Sequence, residues 1–142
     1  MATYLTKPLA KSYTRTRGFY QHPYGWRGID YAKAVGSKVY AARSGATNTL
    51  YYQKTGGGIS LLVQFRSSAG QLINLWGWYA HLSKILIGAH RAFVKKQVIA
   101  LSGNTGASTG PHVHFYILRK HPLGYLQAID PENKTLFVLT EV

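Results

Sequence analysis

Apolar positions from Gly18 onward fall in short runs at 39–42, 49–53, 59–65, 72–81, 97–101, 113–118 and 136–140, with Gly, Ser, Asn or Pro residues standing between them. Runs of this length, rich in Val, Ile, Leu, Tyr and Phe and bounded by turn-forming residues, predict β-strands. The 3.6-residue apolar repeat of a helix packed on a core is nearly absent. The pattern therefore predicts an all-β chain. The Gly56-Gly57-Gly58 run predicts a hairpin turn between the second and third of these strands. No Lys-Ser or Lys-Thr follows it, which argues against a phosphate loop.

One predicted strand carries chemistry. It leaves the Gly-rich stretch SGNTGASTGPHVHF at 102–115, and its first histidines, His112 and His114, are separated by one residue. Alternate residues of a strand share a face, so both imidazoles project to one side while Val113, Phe115 and Ile117 project to the other. Such a pair is either a solvated strand face or part of a metal or acid–base centre, since imidazole serves both chemistries near neutral pH. Two further residues shift the balance toward a centre. His81 ends the 72–81 run in WYAHL, and Asp30 stands in RGIDYA just ahead of the 39–42 run. One carboxylate and three histidines, each at a strand end, are the donor set of a small metallohydrolase: ligands for zinc and spare imidazoles for proton transfer.

Composition adds a partner class. The 142 residues, enough for one domain with a real core, include 17 Lys and Arg against 4 Asp and Glu, a net charge of +13. Before Asp130 the only carboxylate is Asp30. A charge of this size favours polyanionic surroundings such as an anionic cell-wall polymer, nucleic acid or an acidic protein. Nucleic acid ranks last of these, because the cations are spread along the chain and no nucleic-acid motif is present. The absence of cysteine excludes a disulfide framework and Cys-ligated zinc. Residues 1–18 carry Lys7, Lys11, Arg15 and Arg17 and are expected to form a basic N-terminal arm, with Tyr4, Leu5, Leu9 and Tyr13 favouring an extended segment docked on a neighbour over a flexible tail, and with 19–142 as a single domain. No apolar run of signal-peptide or membrane-span length is present, so a leaderless chain with no membrane partner is expected.

GIDYAKAVGSKVYAARSG, WYAHLSKI, QVIALSGNTGASTGPHVHF and the late IDP resemble, in order and spacing, the M23 zinc metalloendopeptidases, also called LytM or lysostaphin-like, over roughly residues 26 to 131. The resemblance implies an antiparallel two-sheet β-sandwich with an open groove, zinc as cofactor, and peptide bonds of bacterial peptidoglycan as substrate. It also implies Asp30 and His114 as zinc ligands, and His81 and His112 as the pair that activates water and stabilises the tetrahedral intermediate.

One position departs from the family motif His-x-Gly-x-Asp, which reads Trp26-Arg27-Gly28-Ile29-Asp30. Indole has no lone pair to offer a metal, and a catalytic zinc normally takes three protein ligands. The direct match leaves zinc occupancy in doubt and makes an impaired peptidase the first expectation. Such a domain would bind cell wall or build an assembly, and the resemblance together with the leaderless, basic chain suggests a bacteriophage tail or virion with other virion proteins as partners. The alternative restores an active peptidoglycan endopeptidase by folding His22, in YQHPYGW, back through the Pro23–Gly25 turn as the replacement ligand. A basic nucleic-acid-binding protein is the last alternative.

Overall fold

The computed structural model describes residues 2–142. They form β1 (Thr3–Thr6), β2 (Thr14–Arg17), a 3-10 turn (Phe19–Gln21), β3 (Ile29–Ala32), β4 (Lys38–Tyr40), β5 (Gly45–Tyr52), β6 (Ile59–Arg66), β7 (Leu72–Ile85), β8 (Ala92–Phe93), β9 (Val98–Ser102), β10 (His112–Lys120), β11 (Leu126–Ile129) and β12 (Phe137–Thr140). The all-β expectation holds, and the sheets are antiparallel apart from one parallel ribbon, β1 against β12. The other ten strands form a sheet of order β2-β3-β10-β7-β6-β5-β8, with β11 against β10, β9 against β7 and β4 against β9. No helix among the described residues is long and apolar enough to cross a membrane.

Alternation along the strands builds the core. Val113, Phe115 and Ile117 of β10 are fully buried and pack with Leu61, Val63 and Phe65 of β6 and Tyr79 of β7 in one apolar cluster. The intervening positions His112, His114 and Tyr116 are left on the opposite face of β10. That face is the floor of the groove.

Three sequence expectations change. Strand β7 runs four residues beyond His81, to Ile85, so His81 lies within a strand rather than at its end. Residues 2–18 do not stand apart as an arm: Leu5 and Leu9 are wholly buried in the core, β1 pairs with β12, and β2 pairs with β3. Burying two leucines offsets the cost of ordering the segment, at about 1.5–3 kcal/mol each. Lys7 and Tyr13 tie the same segment to the far end of the chain by donating to Glu141 Oε1 at 2.7 and 2.6 Å. Finally, β2 was not read from the sequence because its residues, TRTR, are all exposed and carry no apolar alternation. It is recognisable only by its pairing with β3.

Candidate metal centre and groove

Backbone register brings the first two site residues together. On β3 and β10, Asp30 lies directly opposite His114, and on its other flank His114 lies opposite Ala80 of β7. Directly opposed residues of an antiparallel pair project to the same face, so the carboxylate and the imidazole meet without any help from loops. His114 Nδ1 is 2.7 Å from Asp30 Oδ1. A Cβ at Gly28 would lie 2.5 Å from His114 Nε2, so this glycine leaves the space that the ring occupies.

His22 reaches the same carboxylate from the segment that follows the 3-10 turn. Its Nε2 is 3.0 Å from Asp30 Oδ2 and its Nδ1 is 3.0 Å from Gly18 O. A carbonyl oxygen only accepts, so the bond to Gly18 places a proton on Nδ1 and leaves Nε2 facing the carboxylate. Ligating histidines are held in this way, one nitrogen on the metal and the other donating to a backbone carbonyl. The donor atoms of His22, Asp30 and His114 all lie within 4.8 Å of one another, and all three residues are buried. With His22 Nε2 and His114 Nδ1 deprotonated, the two imidazoles and the carboxylate would fit a cation of zinc's preference, which takes three protein ligands in catalytic sites. Trp26, at the position of the family's first motif histidine, is 62% exposed at the groove's lip and is not part of this cluster.

Charge follows the geometry. Burial pushes the Asp30 carboxyl up, but the hydrogen bond from His114 and the nearby imidazoles of His114, His112 and His22 outweigh it and hold the group below its ordinary value. Asp30 is therefore an anion at neutral pH, as a metal ligand must be.

The second pair of histidines stands beside the first. His81 and His112 have ring centroids 4.7 Å apart, and His81 is 6.1 Å from His114. His81 adopts a left-handed backbone (φ 62°) at a register shift where β7 passes β6. Its N–H donates to Gly57 O and its Nδ1 to Thr105 O at 2.7 Å. The Nε2 lone pair of the neutral ring is thus left free. Burial lowers the His81 pKa; the bond to Thr105 raises it, while the like charges of His112 and His114 lower it further, and the net shift is downward. His112 Nδ1 donates to Gly110 O at 2.8 Å, and its Nε2 is 3.7 Å from Asp30 Oδ1.

All five residues named from the sequence, Asp30, His22, His81, His112 and His114, thus line one groove of about 920 Å³. The residues that orient them were not foreseen. Gly18, Thr105 and Gly110 act through backbone carbonyls, which leave no side-chain signal. Gly57 and Gly58 were visible only as a hairpin turn.

The comparison with known families decides the relationship. The model for peptidase family M23 matches residues 24–131, most of the chain. The chain belongs to this family. The domain is 36% identical over 89 residues to an uncharacterized metalloprotease of Haemophilus influenzae, covering 63% of this chain and 18% of that protein. It is 32% identical to the peptidoglycan DD-endopeptidase ShyB of Vibrio cholerae, covering 91% of this chain and 31% of the relative. The chain therefore spans less than a third of the length of these two relatives. Among solved structures, the catalytic domain of a mutant of the prophage-encoded M23 protein EnpA from Enterococcus faecalis superimposes with a TM-score of 0.74 at 26% identity, covering 91% of this chain and 96% of that one. The catalytic domain of lysostaphin from Staphylococcus simulans gives 0.69 at 28% identity, covering 84% and 89%. The M23 domain described here thus carries the antiparallel fold of those neighbours.

Proposed function

We propose that this M23 domain is a zinc-dependent endopeptidase acting on peptidoglycan cross-links, with His22, Asp30 and His114 as the protein ligands and His81 and His112 as the proton-handling pair. The observation that carries the reading is His22: its Nδ1 is committed to Gly18 O and its Nε2 faces Asp30, which supplies the third ligand that Trp26 does not. The expectation of an impaired, wall-binding domain rests on Trp26 leaving the donor set one short. With His22 beside Asp30, that reason falls away. A nucleic-acid-binding role finds no support in the groove, where Arg17 is the single Lys or Arg among the described lining residues.

Zinc, when bound, supplies Lewis acidity toward the scissile carbonyl and lowers the pKa of a water molecule toward neutrality. The chain's own residues do the rest. His81, with Nδ1 bonded to Thr105 and its pKa held down by burial, is neutral at pH 7 and presents Nε2 to take a proton from the attacking water. His112, on the same face of β10 as His114, is placed to donate to the developing oxyanion in its protonated form and to pass a proton to the leaving amine. The open groove admits an extended peptide along the floor that Trp78 and Tyr116 share with the histidines. The relatives described as peptidoglycan endopeptidases support the substrate.

The test pairs two measurements on the purified protein: zinc bound per chain, and soluble fragments released from purified peptidoglycan. The unmodified protein is expected to bind one zinc and release fragments, and His22→Ala to lose both. Zinc retained at full stoichiometry in His22→Ala would remove His22 from the ligand set, and no fragment release by zinc-loaded protein would reject the endopeptidase.

A further inference from the structure

The two arginines of β2 are treated differently by the fold. Arg15 forms a two-pronged ion pair with Glu132, its Nε and Nη2 donating at 2.8 and 2.6 Å. Arg17, two residues on, has no acidic partner among the described residues. One Nη2 N–H donates to Gln21 O at 2.7 Å, and the rest of the fork is unused.

Its position is set by a bulge. Strand β2 pairs Arg15 with Tyr31 and Arg17 with Asp30, so Thr16 is an extra residue between two register positions of β3. Bulges of this kind recur beside active sites, where they re-aim side chains. In this case both Thr16 and Arg17 line the groove, and Arg17 sits at the strand position opposite the carboxylate that faces the metal centre. Without the extra residue, Thr16 would take the position opposite Asp30. Asp30, its register partner on β3, is committed to His22 and His114. A lone guanidinium at the wall of a groove in a chain this basic is thus left to pair with something the groove receives.

We propose that Arg17 is a specificity-determining residue that binds a free carboxylate of the peptide substrate close to the cleaved amide. A planar fork of N–H donors matches a carboxylate in a way that a carboxamide, with one oxygen replaced by a donor, does not. The proposal rests on the endopeptidase reading for the word substrate, but the recognition itself belongs to the groove and is readable without catalysis. It also predicts a substrate class: cross-linked peptides with an acidic group flanking the scissile bond are preferred over the same peptides amidated there, and over bridges made of glycine alone.

The test uses the zinc-treated 142-residue chain and two synthetic cross-linked peptides identical except for carboxylate or carboxamide beside the cross-link, together with the fragments that cleavage would release from each. Calorimetric titration with the fragments reads binding, and kcat/KM on the intact peptides reads turnover. The unmodified protein is expected to favour the carboxylate by about tenfold in both, the preference in turnover arising mainly in KM. In Arg17→Gln the ratio of carboxylate to carboxamide is expected to fall to near one, and in Arg17→Lys to be partly restored, since a point charge lacks the fork. A ratio near one in the unmodified protein, or a ratio that survives in Arg17→Gln, overturns the proposal. Equal loss on both peptides with the ratio preserved marks Arg17 as merely structural and also overturns it. A tenfold preference in fragment binding with neither peptide cleaved supports the role of Arg17 while rejecting the endopeptidase reading, so the two failures are separable.

Discussion

His22 meets Asp30 across an eight-residue excursion of the chain, Nε2 to Oδ2 at 3.0 Å, while Trp26 in the middle of that excursion points into solvent. The excursion is closed by a main-chain turn, Trp26 N–H donating to Pro23 O at 3.0 Å, and by Gly25 in a left-handed conformation (φ 91°). On the proposed reading the ligand sits on the far side of this turn from Trp26, and His22 stands beside Asp30 without it. Trp26→Ala is therefore expected to leave zinc stoichiometry unchanged, whereas His22→Ala weakens zinc binding by about a hundredfold or more, since even supporting residues of a metal ligand are worth 10–100-fold. Competition titration against a chelator of known affinity separates the two. Loss of zinc in Trp26→Ala would show that the turn, rather than His22, holds the metal.

Gly28 is expected to be irreplaceable for a related reason. A methyl group built there would press on His114 Nε2, Cε1 and Cδ2 at 2.5, 2.7 and 3.0 Å, and His114 is confined on its other flank by β7. The ring must turn or the strands must part, at about 1–3 kcal/mol for an overpacked site. Gly28→Ala should thus lower both the thermal midpoint and zinc affinity. A variant with native zinc affinity would mean that the ring has room the structure does not show.

His81 depends on a contact between two glycine-rich loops. Gly58 (φ 64°) lies against Thr105 and Gly106, where an added Cβ would approach Thr105 C and Gly106 N at 2.5 Å. Thr105 in turn holds the His81 ring through its carbonyl and donates its hydroxyl to Leu82 O at 2.6 Å. Gly58→Ala combines a left-handed alanine with a backbone clash, a cost of about 2–4 kcal/mol. Because the displaced atoms are those that orient His81, peptidoglycan release should fall more than zinc content does. Equal, small effects on both would detach the Gly56–Gly58 turn from catalysis.

The legible part of the molecule was the part written in side-chain chemistry. His112 and His114 announced their shared face through strand alternation, and the register of β3 with β10 then brought Asp30 to His114. What stayed hidden has physical reasons. Strand β2 is an exposed edge whose Thr and Arg residues have no apolar rhythm, so neither the strand nor the bulge that sets Arg17 at the groove leaves a periodic trace. Trp26 drew attention as a missing ligand because motif spacing is linear, while the 3-10 turn and the Pro23–Gly25 bend deliver His22 by a route that spacing does not express.

The N-terminal segment reads as a basic arm because Lys7, Lys11, Arg15 and Arg17 are its only charged side chains, yet Leu5 and Leu9 are among the most deeply buried side chains in the molecule. Leu5→Ala is expected to destabilise the domain by about 2–5 kcal/mol, the range for a core leucine truncation. Chemical denaturation with the slope checked for constancy provides the measurement. A change below about 0.5 kcal/mol would mean that β1 is an ornament on a fold complete without it.

The acid sensitivity of the metal-free domain should be set first by His81. Burial holds its folded-state pKa below the ordinary value of 6.5, so in the unfolded chain the imidazole takes up a proton at a pH where the folded one still resists it. The stability linked to this difference is fully present above about pH 6.5 and drains away as pH falls toward the folded value. Asp30, whose folded pKa lies below its ordinary 3.8, adds stability present above that value and lost only as pH falls further through its folded one, so the two windows do not coincide. Thermal melts in the presence of a chelator should therefore show a midpoint that declines between pH 7 and pH 5. His81→Gln, which keeps an N–H donor for Thr105 O, should flatten that decline while leaving the steeper loss below pH 4 in place. A decline of undiminished slope in His81→Gln would assign the titration to another group and with it withdraw the argument that His81 is neutral because it is buried.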